Sequence, residues 1–396
     1  AILITIPFYD RLPKIFLTAY EFAGERWWLL TLMSFLIVFV IMVVPTILSG
    51  TLLPAAVAIL DPGKTHTGEA VGLVVLHNTV GAVFGSLIAG FFLIPSLGTL
   101  DSFRLLAIIN IALAFYLTLA FSRQRSINKM VFALVAIGVV LAFVPVNWDQ
   151  KLMNSGVYCY ASKYKQMGGI DEVLKNESIL EVIEGTDTTV AVHESNSGSY
   201  RFFTVNGKTD GGTGQDMSTQ TLIGQLPLLL HPQPDEVLVV GLGTGITLRG
   251  MSAHPTEKID CVEVSPGVVK AASYFVEANG HALKDPKINL IVQDGRNLLM
   301  THPKRYDVIV SEPSNPWQTG NSNLFTADFY QLAAQRLKPG GLFCQWVGLY
   351  DITPENLRIL TRTFLSSFPK IMAFKAGSDM VLVGAQHELV FDYQQL

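Results

Sequence analysis

The run Gly241-Leu242-Gly243-Thr244-Gly245 follows an apolar strand-like segment and opens a helical one. Glycines at such a turn let backbone amides approach a ligand closely, and the start of the next helix favours negative or polar groups. The spacing is not that of the dinucleotide fingerprint, because Arg249 and Gly250 come too late for G-x-G-x-x-G. Taken alone, such a turn also serves as a tight strand-to-helix connection, the lesser of the two readings. Glu263 changes the balance: it ends the next strand, 18 residues after Gly245, where a carboxylate can accept both hydroxyls of a ribose. Asp294-Gly295 then ends a third strand, placed to meet an adenine amino group. Gly241, Gly243, Thr244, Gly245, Glu263, Asp294 and Gly295 together predict a site for an adenosine-containing cofactor.

The elements that must carry these residues alternate. From Glu236 the sequence reads VLVVGLGTG, ITLRGMSAHP, IDCVEVS, VVKAASYFVEANG, then strands at INLIVQD, YDVIVSEP and LFCQWV, with a helix over 327–337. Strand and helix in turn at this spacing predict a mainly parallel, doubly wound α/β sheet over 236–396. Ahead of it, Ile179 to Glu184, Thr188 to Glu194 and Tyr200 to Val205 read as short strands parted by turn residues, a small β subdomain over 179–235. Residues 149–178 are polar and read as a linker with one short helix at 171–175.

Residues 1–148 have a different character. The whole chain is 49% apolar and only 15% charged, which points to a membrane part. Uncharged stretches run from Leu29 to Leu48, Ala70 to Leu100, Leu105 to Ser122 and Met130 to Trp148. A crossing helix needs about 20 apolar residues, so at least four spans are predicted, the first kinked or ended by Pro45 and Pro54. Gly81-x-x-x-Gly85 predicts close helix packing, and His77 and Asn78 predict a hydrogen bond to a neighbouring helix. Seven basic residues (Arg11, Lys14, Arg26, Arg104, Lys151, Lys163, Lys165) fall on the side of the α/β domain, against four opposite (Lys64, Arg123, Arg125, Lys129). That bias places the domain in the cytoplasm. Ala1 to Tyr9 read as the end of an apolar segment, so upstream sequence is expected. A net charge of −4 offers no basic surface for nucleic acid, and Cys159, Cys261 and Cys344 have no metal-ligand spacing.

From Ile179 to about Phe368 the sequence resembles spermidine synthase and the other polyamine aminopropyltransferases, most of all their membrane-fused variants. The matching residues are Val182-Ile183-Glu184-Gly185, Asn206-Gly207, Gln220 before Leu226-Pro227, the Gly241 loop, Val262-Glu263-Val264, Asp294-Gly295 and the run from Tyr306 to Pro316. Asn78-Thr79-x-Gly81-Ala82 and Leu93-Ile94-Pro95 fit the membrane part. The resemblance implies a Rossmann-like methyltransferase fold for the α/β domain. It also implies attack of a substrate amine on a carbon beside the sulfonium of decarboxylated S-adenosylmethionine.

In that family an Asp handles the amine proton, and here Glu312 stands in its place. Asn315 replaces a second Asp and Thr219 a Tyr of the polyamine channel, while Gln220 is an implied substrate contact; Asp216 near it is a candidate for a substrate contact or, equally, for a turn role. Losing the anion at Asn315 argues against an ordinary polyamine. Thr244 replaces an Asp of the glycine loop, and a neutral hydroxyl donor there admits S-adenosylmethionine with its carboxylate. The expected activity is alkyl transfer to an amine or membrane-held acceptor by an integral protein of a bacterial inner membrane, without metal. Partners would be the bilayer, other membrane subunits or a second copy of the chain. A methyltransferase and a non-catalytic membrane subunit are the competing expectations.

Overall fold

The computed structural model describes residues 2–63, 65–121, 125–318 and 320–389. Lys64 and Arg123 of the charge count, Ser122 of the third apolar stretch and residues 390–396 of the last domain lie outside them. The chain divides into two compact units, residues 1–176 with 183–186, and residues 177–182 with 187–396.

In the first unit, Trp27–Leu60 is one helix of 34 residues that runs through both Pro45 and Pro54. A second apolar helical run, Thr67–Ala120, follows. It contains a wider π turn at Ala89–Leu93 and a break at Gly98, whose φ of +79° and ψ of 168° leave the helical region. Among the described residues these two have the length and apolarity to cross a membrane, and Asn128–Ala142 is a shorter apolar helix. Two expectations change here. Among the described residues nothing comes within 4 Å of a Cβ placed on Gly81 or Gly85; the tight approach is at Gly138, against Ile111. His77 turns back on its own helix, its Nδ1 2.8 Å from the Leu73 carbonyl, so this nitrogen is met within the helix and not by a second one. Residues 149–176 are not an open linker. Gln150–Met153, Val157–Gln166 and Ile170–Leu174 are short helices whose Leu152, Ala161, Tyr164, Ile170 and Leu174 bury together with Leu17. Each helix is too short for its periodicity to stand out from a polar background.

The second unit opens with an antiparallel sheet of β1 (Glu177–Glu184), β2 (Thr189–Ser195), β3 (Arg201–Val205) and β4 (Lys208–Gly212), in that order. Next comes helix Asp216–Leu230, and its Ile223, Leu226 and Leu228 enter the core of the large sheet. The stretch read as a small β subdomain therefore ends in a helix of the α/β layer. The large sheet is built from β5 (Glu236–Val240), β6 (Lys258–Glu263), β7 (Ile288–Val292), β8 (Tyr306–Ser311), β9 (Leu337–Gly348), β10 (Lys370–Ala376) and β11 (Asp379–Ala385). The spatial order is β10-β11-β9-β8-β5-β6-β7. β9, β8, β5, β6 and β7 are parallel, β11 runs antiparallel to β9, and β10, antiparallel to β11, again points with the parallel set, the mixed sheet of a Rossmann-like methyltransferase fold. Because both faces of the sheet are covered, β5 is apolar in succession from Val237 to Val240: Val237 and Val239 face one core, Leu238 and Val240 the other. Cys261 and Cys344 are buried free thiols in these strands.

Helix Asp216–Leu230 crosses the short helix Ile246–Ser252 at two glycines, Gly224 and Gly250. A Cβ on Gly224 would fall 2.4 Å from the Thr247 carbonyl oxygen, so the two backbones are as close as they can be. Gly224→Ala should destabilise the full chain by about 1–3 kcal/mol through overpacking. Thermal unfolding in detergent, compared with the parent, measures it; an unchanged midpoint would mean that the helices do not meet there.

Candidate functional site

Chain order reverses between β5 and β8, the position where a doubly wound sheet opens a crevice at its strand ends. The Gly241 loop leaves β5 there and Glu312 leaves β8. Gly241 has φ +104°, and a Cβ on it would strike the Glu312 carbonyl oxygen at 2.7 Å, so only glycine fits. Gly245, at φ +81°, faces Asn279, whose Nδ2 donates to the Thr244 carbonyl at 2.9 Å and fixes the end of the loop. Gly243, at φ +54°, has nothing within 4 Å of a Cβ: its backbone borders open space.

Glu263 is buried at the end of β6. Its Oε2 accepts from the Leu242 N–H at 3.0 Å and its Oε1 from the Ser265 N–H at 2.9 Å. Burial pushes its carboxyl above the usual range, and those amides oppose the shift. The Val264 amide acts on it as well, and the acceptor capacity that these three amides leave can meet a ligand hydroxyl. Asp294 is exposed, and its Oδ1 accepts from the Asn297 N–H at 2.7 Å as the cap of helix Gly295–Thr301. Gly295 is a packing glycine, since a Cβ would sit 2.6 Å from Val240 Cγ1. A bare loop backbone, a buried diol acceptor and an exposed acceptor at adjoining strand ends suit a nucleoside.

Thr244 and Gln220 differ from expectation. Thr244 is fully buried, and its hydroxyl donates to Gln220 Oε1. Gln220 Nε2 in turn donates to the Gly212 carbonyl at 3.0 Å. Thr244 therefore offers no donor to a ligand carboxylate, and Gln220 ties the Gly241 loop to β4 instead of presenting a free amide. Both are buried because Gly211 lets Phe203 and Thr244 close in on the chain.

Glu312 carries the strongest perturbation with chemical consequence. Its Oε2 accepts from Thr247 Oγ1 at 2.7 Å, and burial pushes its carboxyl up to about 7; the hydrogen bond lowers it and nearby Asp379 raises it. A carboxyl poised there can take and return a proton near neutrality. Asn315 is buried, with its Oδ1 3.3 Å from Tyr350 Oη. Asp216, in the first turn of its helix, is raised by burial and lowered by Lys208. Trp317 is exposed.

Four contributors were not visible in the sequence reading. Thr247 holds Glu312. Asp379, at the start of β11, accepts from Thr219 Oγ1 at 2.8 Å. Buried Lys208 donates to Asp210 Oδ1 at 2.7 Å and Ser314 Oγ at 3.1 Å, and Ser314 donates to Asp210 at 2.5 Å. Asn279 supports the loop. Asp210-Gly211 beside the matched Asn206-Gly207 was the one usable signal; Asp379 lies in a hairpin with no motif around it.

Among known proteins, the spermine/spermidine synthase domain matches residues 216–376. A polyamine aminopropyltransferase of Serratia proteamaculans is 34% identical over 155 residues, 39% of this chain and 53% of the relative. One of Escherichia fergusonii is 30% identical over 217 residues, 54% of this chain and 73% of the relative. The chain spans 53% to 61% of the length of the first curated relatives it matches. A crystal structure of spermidine synthase in complex with the transition-state analogue AdoDATO shares the fold, with a TM-score of 0.50 at 20% identity, over 55% of this chain and 76% of that one.

The raised Glu312 carboxyl has a consequence for stability. It binds its proton more tightly in the native state than in the unfolded chain, so its contribution is present at low pH and lost as pH rises through about 7. Glu312→Gln, neutral at every pH, should raise native stability by about 1–3 kcal/mol near pH 8 and leave it nearly unchanged near pH 4. Thermal unfolding of both proteins at the two pH values tests the sign; equal midpoints at high pH would show that the carboxyl is not strained.

Proposed function

Since the chain belongs to the spermine/spermidine synthase family, we propose that it transfers an aminopropyl group from decarboxylated S-adenosylmethionine to an amine acceptor. The observation that carries this reading is Glu312, a buried carboxyl at the crevice, anchored by Thr247 and pushed up to about 7. The Gly241 loop, Glu263 and Asp294 would hold the adenosine. The donor supplies an electrophilic carbon on a sulfonium: as the amine nitrogen bonds to it, the C–S bond breaks with its electron pair left on sulfur, and methylthioadenosine departs. A free alkylamine with a pKa of about 10.4 is mostly protonated near neutrality. Glu312, ionised, accepts the proton that the nitrogen must lose, an effect of roughly 10²–10⁴-fold in rate. The buried Thr244 hydroxyl, already given to Gln220, withdraws the sequence-level reason to expect a carboxylate-bearing donor.

With both donors offered, the nucleoside released should be methylthioadenosine; S-adenosylhomocysteine would make the protein a methyltransferase. kcat/KM should rise with pH through about 7 as Glu312 ionises. Glu312→Gln should flatten that limb and lower turnover by roughly 10²-fold or more while leaving methylthioadenosine affinity intact. Full activity in this variant would remove Glu312 as the base.

The membrane part of the proposal rests on helices Trp27–Leu60 and Thr67–Ala120, together with the excess of basic residues on one set of loops. The chain would be integral, with residues from 149 onward in the cytoplasm, where the donor is made. A cysteine introduced at exposed Glu257 should resist an impermeant thiol reagent in intact cells and react after lysis. Labelling before lysis would reverse the orientation.

A further inference from the structure

We propose that the membrane helices hold a binding site for a neutral lipid alcohol, an apolar chain ending in a hydroxyl group, recognised by His77 and Asn78. The inference rests on the membrane reading above and is independent of the transfer reaction.

Helices Trp27–Leu60 and Thr67–Ile88 leave a cavity of about 530 Å³ between them, a size that suits a small molecule. Leu53, Ala56 and Leu60 line it from one helix, and Leu73, His77 and Asn78 from the other. No charged side chain is among the described residues that line it. His77 stands ten residues after Thr67, where its helix begins. That is about 15 Å along the axis, deep in a hydrocarbon layer about 30 Å thick.

Polar groups at such a depth need partners from protein or ligand, because hydrocarbon supplies none. Ser34, Thr51, Ser86, Asn110 and Thr118 each donate to a carbonyl of the preceding turn of their own helix. His77 does so with one nitrogen only. The Leu73 carbonyl can only accept, so Nδ1 carries the hydrogen, and the neutral ring is left with Nε2 as an acceptor. The Asn78 amide, with two donor hydrogens and an acceptor oxygen, has no hydrogen-bond partner among the described residues. The cavity therefore offers an acceptor and an amide in an uncharged, otherwise apolar wall. A hydroxyl matches both, since it gives its hydrogen to Nε2 and accepts from the amide. An ether could only accept, and a carboxylate or an ammonium would bring an unpaired charge into hydrocarbon.

Photolabelling of the full chain in detergent micelles, with hexadecanol carrying a diazirine in its chain, tests the site. Adducts should fall on peptides containing residues 52–60 and 73–78. Unlabelled hexadecanol should suppress them about tenfold more effectively than hexadecyl methyl ether, palmitate or hexadecylamine. His77→Phe and Asn78→Leu should each cut labelling about tenfold while the thermal unfolding midpoint stays as in the parent. Should either variant fail to fold, Ala56→Phe, which fills the cavity and leaves the polar pair in place, should cut labelling in the same way. Equal competition by the ether, or labelling that survives these substitutions, overturns the assignment. Release of the chain from membranes by a carbonate wash would remove the membrane reading and this site with it, whereas retention without a hydroxyl preference would remove the site alone.

Discussion

The hydrogen bond from Thr247 Oγ1 to Glu312 Oε2 joins the two halves of the crevice, one carried by the helix after β5 and the other by the loop after β8. Thr247 Oγ1 also lies 3.2 Å from the Gln220 carbonyl of helix Asp216–Leu230, a second and more distant acceptor for its single proton. That helix reaches it only because Gly224 and Gly250 remove the side chains that would hold the backbones apart. A buried carboxyl is costly to keep ionised, and one fixed donor offsets part of that cost while setting its direction. Close packing two layers away is thus a condition for the proton chemistry proposed for Glu312.

The loop next to it follows the same logic. Gly241 is pressed against the Glu312 carbonyl, Asn279 closes the far end, and Gln220 links Thr244 to β4. Polar side chains that a motif would place on a ligand are used here to hold backbone, and backbone is left to meet the ligand. The site is rigid in its walls and open at Gly243. Such preorganisation suits the transfer proposed here, since alignment of the reacting atoms supplies much of the rate when two substrates are bound.

In the first unit, burial in protein is scarce: no residue of Trp27–Leu60 is buried, although its mean hydropathy over the best window is 2.6. An apolar helix left uncovered in water would aggregate, and hydrocarbon is the environment that suits it. Helices after Trp148 behave differently, burying Leu152, Tyr164 and Leu174 in a small conventional core with Leu17. Apolar composition without periodicity marks the one, and sparse apolar positions on short amphipathic helices the other.

The sequence by itself determined the α/β alternation, the Gly241 loop, and the placing of Glu263, Asp294 and Glu312 at strand ends. These are local facts: a parallel strand buried on both faces is apolar throughout, and a strand-to-helix turn that meets a nucleoside needs glycine where φ is positive. The long apolar helices were equally legible, because uncharged runs of that length stand out in the sequence whatever surrounds them. Only the tertiary structure decided what the polar residues do. Thr244 and Gln220 turned to each other, His77 to its own helix, and Gly81 and Gly85 to no neighbour among the described residues. Thr247 and Asp379 entered the site from 65 and 67 residues away from Glu312, the former across a helix crossing and the latter through the antiparallel turn of β11. Pairings over such separations leave no period in the sequence. They arise from strand order and close packing, and so the identity of the carboxyl proposed as the base was written locally while its environment was not.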